Sequence, residues 1–425
     1  MKNRENTGNS MLDPLLAFVV CLALITVISL KYRIIPFFTL IGGALAFGLL
    51  AGMDPDTIIN AVIDGLGRTF GIFGIIILSG SVIARMLVKE DLIGIIVNDL
   101  RRWIQNPFSI AGAGGYLLAV PVACCITAFL MLAPFASHLS ENERLRKDLV
   151  YITALGTLSS FAFLYPTPVT IPLFSSFSPG ISPLWYDALA LPVSLVILGG
   201  VIIAFTVLRG SIPEDTRSGE RGEREPRKIH LKAWLPFIVI LLSIPAGILL
   251  GLSSSALIQF IMLAGAACAV ILATPAIRVE AMAEGVKHGG VIIFDICGAG
   301  ALGYVIVKGG FAAGLMSAVG DFLPILCVPF VVAAIIQTAQ GSRVVTAVIT
   351  GEIIAGTGAI VLIHPFLLIL MIAAGTCVIS YVTDPYFWLV HRATGDEIGV
   401  VVRKYTVPLA IAGLAVFLFA AGLQA

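Results

Sequence analysis

Hydrophobic residues in this chain come in long runs parted by short polar steps. A window of about 19 residues predicts apolar spans near 12–30, 35–52, 69–88, 110–135, 149–165 and 184–208. After a charged stretch they recur near 234–252, 256–273, 289–307, 323–339, 359–382 and 405–423. The stretch between the two sets, RGSIPEDTRSGERGEREPRKIHLKA at 209–233, mixes dense charge with Gly and Pro and predicts a disordered or surface arm. It divides the chain into a first membrane repeat at 1–208 and a second at 234–425. The segments 90–106, 138–148 and 391–404 hold mixed charges and predict interfacial loops or helices. Basic residues fall on loops of both parities, so positive-inside counting assigns no orientation.

Two of the apolar runs are interrupted alike. GTCVISYVTDPYFWLVH, Gly375 to His391, runs into the polar step Thr383-Asp384-Pro385 and resumes at once as Tyr386-Phe387-Trp388-Leu389. Proline has no amide proton and disfavours helix in the residue before it, so the helix breaks at about Asp384. Irregular backbone at membrane depth is tolerated where protein buries it or where it lines a polar cavity. In the first half, GTLSSFAFLYPTPVTIPLF, Gly156 to Phe174, breaks at Pro166-Thr167-Pro168. Paired breaks in two halves point to a transporter's central site. The halves agree elsewhere too: Ala61-Val-Ile-Asp64-Gly65 matches Ala281-Met-Ala-Glu284-Gly285, and Ser79-Gly80 falls opposite Ala299-Gly300. The pattern favours a duplication.

Composition sharpens this reading. The chain has 425 residues, 58% hydrophobic and 12% charged, with a mean hydropathy of +1.03. Soluble domains carry roughly 25% charged residues, so the chain reads as a polytopic membrane protein with the lipid bilayer as its partner, and the plasma membrane is its expected location. The 26 basic and 25 acidic residues nearly cancel, and nothing points to nucleic acid. All seven cysteines sit in apolar sequence without CxxC or metal-ligand spacing and read as small packing residues. The apolar run Leu15 to Leu30 reads as a retained first span rather than a signal peptide. There is no HExxH, no GxSxG and no Gly-Lys-Ser/Thr phosphate loop, which argues against an enzyme and against a bound cofactor or metal.

Asp295, Arg343, Glu352 and Asp384 lie inside or at the edges of apolar spans, where ionisable residues are rare and face the protein interior or water. Arg343 follows Gln340-Gly341-Ser342, an interruption before a further helical stretch. Free amides at Gly341 and Ser342 and the positive helix end suit a carboxylate, and the arginine adds a bidentate clamp or reaches the headgroups. Asp295 is open to two readings, a proton relay or a structural partner of Lys308 or a hydroxyl. Glu352 is either a relay or interfacial. Arg68 and Arg85 bracket a segment of about bilayer thickness and read as snorkelling anchors, and His364 and His391 read as interfacial. Asp384 is either a titrating carboxylate or a helix cap.

At these residues a family becomes recognisable. Ser380-Tyr-Val382-Thr-Asp384-Pro385-Tyr-Phe387-Trp388-Leu389, followed by Thr394-Gly395-Asp396-Glu397, resembles the C-terminal signature of the gluconate permease family of proton-coupled symporters, Ser-x-Val-Asn-Asp-Pro-x-Phe-Trp-Leu before a Thr-x-Gly-Glu-like step. Gly341-Ser342, Gly298-Ala-Gly300-Ala301 and Leu164-x-Pro166-x-Pro168 match the family's order and spacing. The resemblance implies a secondary carrier of gluconate or a related sugar acid or small hydroxycarboxylate. It also implies an all-α fold of two inverted repeats with broken helices and paired hairpins, a homodimer, and elevator-type transport. The sequence departs from the pattern at Cys125-Ile126, where the family has Tyr-Glu, and at Thr167, where it has His. Arg343 and Asp295 replace residues that are small or apolar there.

The expected function is therefore cation-coupled, proton or sodium, symport of a small organic anion. The alternatives are a cation antiporter with Asp295 and Asp384 as ion site and, more remotely, a membrane-embedded enzyme or assembly subunit. The substrate site is expected at Pro166, Thr167, Pro168, Gly341, Ser342, Arg343, Thr383 and Asp384, with coupling through Asp384 and Asp295.

Overall fold

The computed structural model describes residues 12–32, 34–104, 106–137, 139–140, 142–177, 183–209, 230–311, 314–315, 323–357, 362–381 and 383–424. The arm expected at 209–233 lies outside them except at its ends. Regular structure among these residues is helical. The first half holds α1 (Pro14–Tyr32), α2 (Pro36–Leu50), α3 (Pro55–Lys89), α4 (Leu92–Trp103), α5 (Pro107–Ala119), α6 (Cys125–Ser137), α7 (Glu143–Phe161), α8 (Thr170–Phe177) and α9 (Pro183–Arg209). The second half holds α10 (Leu231–Leu249), α11 (Ser254–Leu272), α12 (Pro275–Lys308), α13 (Val328–Gln340), α14 (Arg343–Ala355), α15 (Pro365–Val378), α16 (Pro385–Thr394) and α17 (Ile398–Gln424), the last with a π-turn at Val402–Thr406.

Local chemistry sets the helix starts. A proline opens α1, α2, α3, α5, α9, α12, α15 and α16, where its missing amide costs nothing. Asp54, Asn106, Asn142, Ser253 and Asp384 cap the helices that follow them by accepting backbone amides. Five helices are long and apolar enough to cross a bilayer alone, and shorter apolar helices such as α2, α6, α13 and α15 accompany them. Apolar side chains cover the outside, among them Leu249, Val279, Val196 and Trp185.

One expectation is corrected. The span read at 110–135 is two helices, α5 and α6, joined by a reversal at 120–124 in which Ala123 takes φ 53. Val120 is still helical, at φ -70 and ψ -56, and Val122 N still reaches the Leu118 carbonyl at 3.2 Å; the left-handed Ala123 ends the turn, Pro121 has no amide for the Leu117 carbonyl, and window averaging hid the break. The second half repeats the device, with α13 and α14 joined through Gly341 at φ 69. In each half a broken segment follows, α7 to α8 and α15 to α16.

The packing of the two halves is reciprocal. Added side-chain carbons at Gly65 and Gly285 would meet backbone at 2.6 Å (Gly300 O) and 2.8 Å (Val82 Cα), so α3 and α12 cross there at backbone distance. Gly156 of α7 lies against Gly112 of α5, and Gly375 of α15 against Phe330 and Ala333 of α13. The charged segments expected at the interface meet as pairs, Lys147 with Asp396 at 2.9 Å and Lys404 with Asp148 at 2.8 Å.

Candidate functional site

Where α13 gives way to α14, Gly341 adopts the left-handed conformation that ends a helix, and its amide, expected to be free, instead donates to the Gln337 carbonyl at 2.7 Å and closes the helix end. Any side chain here would overlap the Thr383 carbonyl, so the two breaks at Gly341-Ser342 and Thr383-Asp384 are pressed together. Thr383 Oγ1 donates to the Thr338 carbonyl at 2.8 Å and ties them. Ser342 caps α14 by accepting from Val345 N.

Arg343 and Asp384, with side chains 4% and 2% exposed, form an ion pair at this junction, Nη2 to Oδ2 3.1 Å. The same Nη2 donates to Ser380 Oγ at 2.9 Å and to Tyr405 Oη at 3.2 Å. Ser380 Oγ in turn donates to Asp384 Oδ2. The second carboxylate oxygen, Oδ1, accepts Tyr386 N at 2.8 Å, so Asp384 caps α16 while it holds the arginine. One carboxylate thus faces a guanidinium and the starts of α14 and α16, both partly positive. Two donors nearby, Arg343 Nε and Gln337 Nε2, are buried without an acceptor among the described residues; each such donor costs about 1–3 kcal/mol. The ends of α13 and α15, partly negative, lie at the same junction, so the charges balance and the spare donors are what distinguishes the cluster.

The first half reaches this cluster through α6, α7 and the side chain of Tyr386. Tyr386 Oη and Thr157 Oγ1 lie 2.6 Å apart. Its ring packs edge-on against Phe129 of α6 and against Tyr405, with centroids 5.3 and 5.8 Å away. Cys125, at the start of α6, is within electrostatic reach of Arg343 and Asp384.

The other expected residues are placed as follows. Thr167 is fully buried and bonds within its own turn, Oγ1 to Thr170 Oγ1 at 3.1 Å. Tyr165, before Pro166, donates its amide to Asp187 Oδ1 at 2.9 Å. Beyond Pro168, α8 lies on α14, with Leu173 against Gly351. Asp295 sits apart and accepts the amide of Phe37 at 3.1 Å, holding the start of α2. Arg68 lies over the Tyr304 ring, 5.2 Å to its centroid. His364 accepts from Phe366 N as a cap. Sequence reasoning missed Ser380, Tyr405, Gln337 and Asp187. Ser380 stands four residues before Asp384 in the signature run and was the one within reach.

A family model described as GntP family permease matches residues 13–424. The chain belongs to that family. Among its relatives, a high-affinity gluconate transporter of Escherichia coli (strain K12) is 23% identical over 404 residues, 87% of this chain and 89% of that protein. The Gnt-II system L-idonate transporter of the same strain is 22% identical, over 93% and 95%. The permease also shares its fold with two solved transporters. One is Alcanivorax borkumensis YdaH, described as having an unusual topology, with TM-score 0.59 and 14% identity over 96% of this chain and 98% of that one. The other is Neisseria gonorrhoeae MtrF, described among antimetabolite efflux pumps, with TM-score 0.55 and 15% identity over 96% and 95%. This permease is a multi-pass membrane transporter and not an enzyme.

Proposed function

We propose that this permease carries gluconate or a closely related sugar acid across the plasma membrane together with a proton. The observation that carries the reading is the buried Arg343–Asp384 pair at two apposed helix breaks. A substrate carboxylate takes the guanidinium by two parallel hydrogen bonds and displaces Asp384. The displaced carboxylate, 1% exposed as a residue, is then a buried charge without its cation, which is costly, and it takes a proton instead. Anion and proton enter together and the site's net charge is unchanged. Among the described residues the carboxylate paired with Arg343 is Asp384, and in this reading the exchange runs through it. Ser342, Thr383 and the Pro166-Thr167-Pro168 turn complete the substrate site in this reading. Asp295 remains a second coupling candidate, with its engagement at Phe37 favouring a structural task.

The same reading makes the halves inverted repeats. Gly65 meets Gly300, and Gly285, its counterpart, meets Val82 beside Gly80; a two-fold relation between repeats produces such reciprocity. The hairpins α5–α6 and α13–α14, with the broken segments, then form the unit that carries the site past the α3–α12 pair in elevator fashion. In proteoliposomes, labelled D-gluconate should accumulate under an inward proton gradient, whereas Asp384→Asn should exchange gluconate without accumulating it. Full accumulation by that variant would reduce Asp384 to a cap.

A further inference from the structure

A cavity of about 320 Å³ lies on the other side of α6 from the buried pair, walled by the end of α3, by α6 and by α12. That is within the size range of small-molecule sites, roughly 300–1,000 Å³. We infer that it is a second, vestibular site, where a polyhydroxy carboxylate is held before it reaches Arg343. The inference rests on the substrate class proposed above.

Arg85 lines the cavity with a side chain 35% exposed. Its ion pair with Glu284 is long, 3.8 Å, because Lys89 holds Glu284 at 2.8 Å and Glu280 at 2.8 Å. The guanidinium therefore keeps Nη donors for an arriving carboxylate. The wall also offers hydroxyl partners. Thr127 Oγ1 and His288 Nε2 lie 2.9 Å apart, Asp91 accepts only, and Pro134 withholds the amide that would bond the Leu130 carbonyl. Asp91, also in the wall, repels a carboxylate, which leaves Arg85 as the group that takes the acid end.

The cavity also lies in the right place. On α6, Phe129 touches Tyr386 of the buried cluster, while Thr127, Leu130 and Pro134 line the cavity. One helix thus separates the two sites, and its first residue, Cys125, stands within electrostatic reach of Arg343 and Asp384.

The test places a cysteine at Leu130, which is half exposed, in full-length protein with Cys124 and Cys125 replaced by alanine, and follows its reaction with a water-soluble thiol reagent. D-gluconate should slow the labelling, and should still do so when Arg343→Met and Asp384→Asn disable the central site. Arg85→Gln should raise the half-protecting concentration about tenfold or more, the scale of a lost charged hydrogen bond, and Arg85→Lys should restore most of the protection. Absent labelling, labelling indifferent to gluconate, protection that vanishes with the central pair, or protection indifferent to Arg85→Gln would each overturn the vestibule. Gluconate uptake measured in the same vesicles separates the two ideas. Uptake without protection sinks the vestibule alone, and protection without uptake upholds the vestibule and sinks the proposed transport.

Discussion

Asp384→Asn should leave a folded protein with a misfit at its centre. The Arg343 side chain is 4% exposed, so without the carboxylate its charge is buried and unpaired. Breaking such a pair costs about 3–5 kcal/mol. The lower end applies, because Ser380 Oγ at 2.9 Å and Tyr405 Oη at 3.2 Å still accept from Nη2. Asparagine keeps an oxygen for Tyr386 N, so Asp384→Ala should cost a further amount of about 1 kcal/mol for the lost cap. Replacing both charges, Arg343→Met with Asp384→Asn, should recover most of the loss, since neither charge is then left buried alone. The assay is a double-mutant cycle by detergent titration, with unfolding read by a thiol-reactive dye as buried cysteines such as Cys377 become exposed. A coupling energy above about 2 kcal/mol is expected for contacting residues of this kind. A single-variant cost under about 1 kcal/mol, or additive single variants, would mean that Arg343 reaches water by another route, and the exchange at Asp384 would lose its basis.

Further outcomes follow from the same geometry. Gluconate should stabilise Asp384→Asn more than the parent protein in a melting assay, because the variant's arginine has no partner to surrender; equal shifts would count against the exchange. Gly341→Ala should cost about 1–2 kcal/mol for the left-handed backbone alone, plus the overlap with the Thr383 carbonyl, and should abolish uptake while the protein still reaches the membrane. Asp295→Asn should leave proton-driven uptake intact, since asparagine can still accept the Phe37 amide; loss of coupling would move the ion site to α12. At the surface, the Lys232 ammonium holds the Glu90 carboxyl at about 2, below its usual 4.5, against the opposing effect of burial. That pair stabilises the fold above about pH 4.5 and its contribution fades as pH falls toward 2. Melting temperatures between pH 6 and pH 3 should therefore fall more steeply in the parent than in Glu90→Gln.

Much of this site was legible along the chain because lipid is an unforgiving solvent for backbone. Polar steps such as Thr383-Asp384-Pro385 and Gln340-Gly341-Ser342 stand out against apolar flanks, and the structure has breaks at both. What could not be read is the pairing. Arg343 and Asp384 are 41 residues apart on different helices, and nothing in local pattern says that one neutralises the other. Ser380 and Tyr405 carry no charge to draw notice in apolar sequence. The α5–α6 reversal was obscured for a different reason: a hydropathy average takes no account of Pro121, whose effect is on the backbone.

The exchange at Asp384 is tested most directly by counting protons. Purified permease in weakly buffered solution, given D-gluconate at a pH where the acid is ionised, should take up one proton for each anion bound, and Asp384→Asn should bind gluconate with no proton uptake. Binding without proton uptake by the parent protein, or undiminished uptake by the variant, would contradict it.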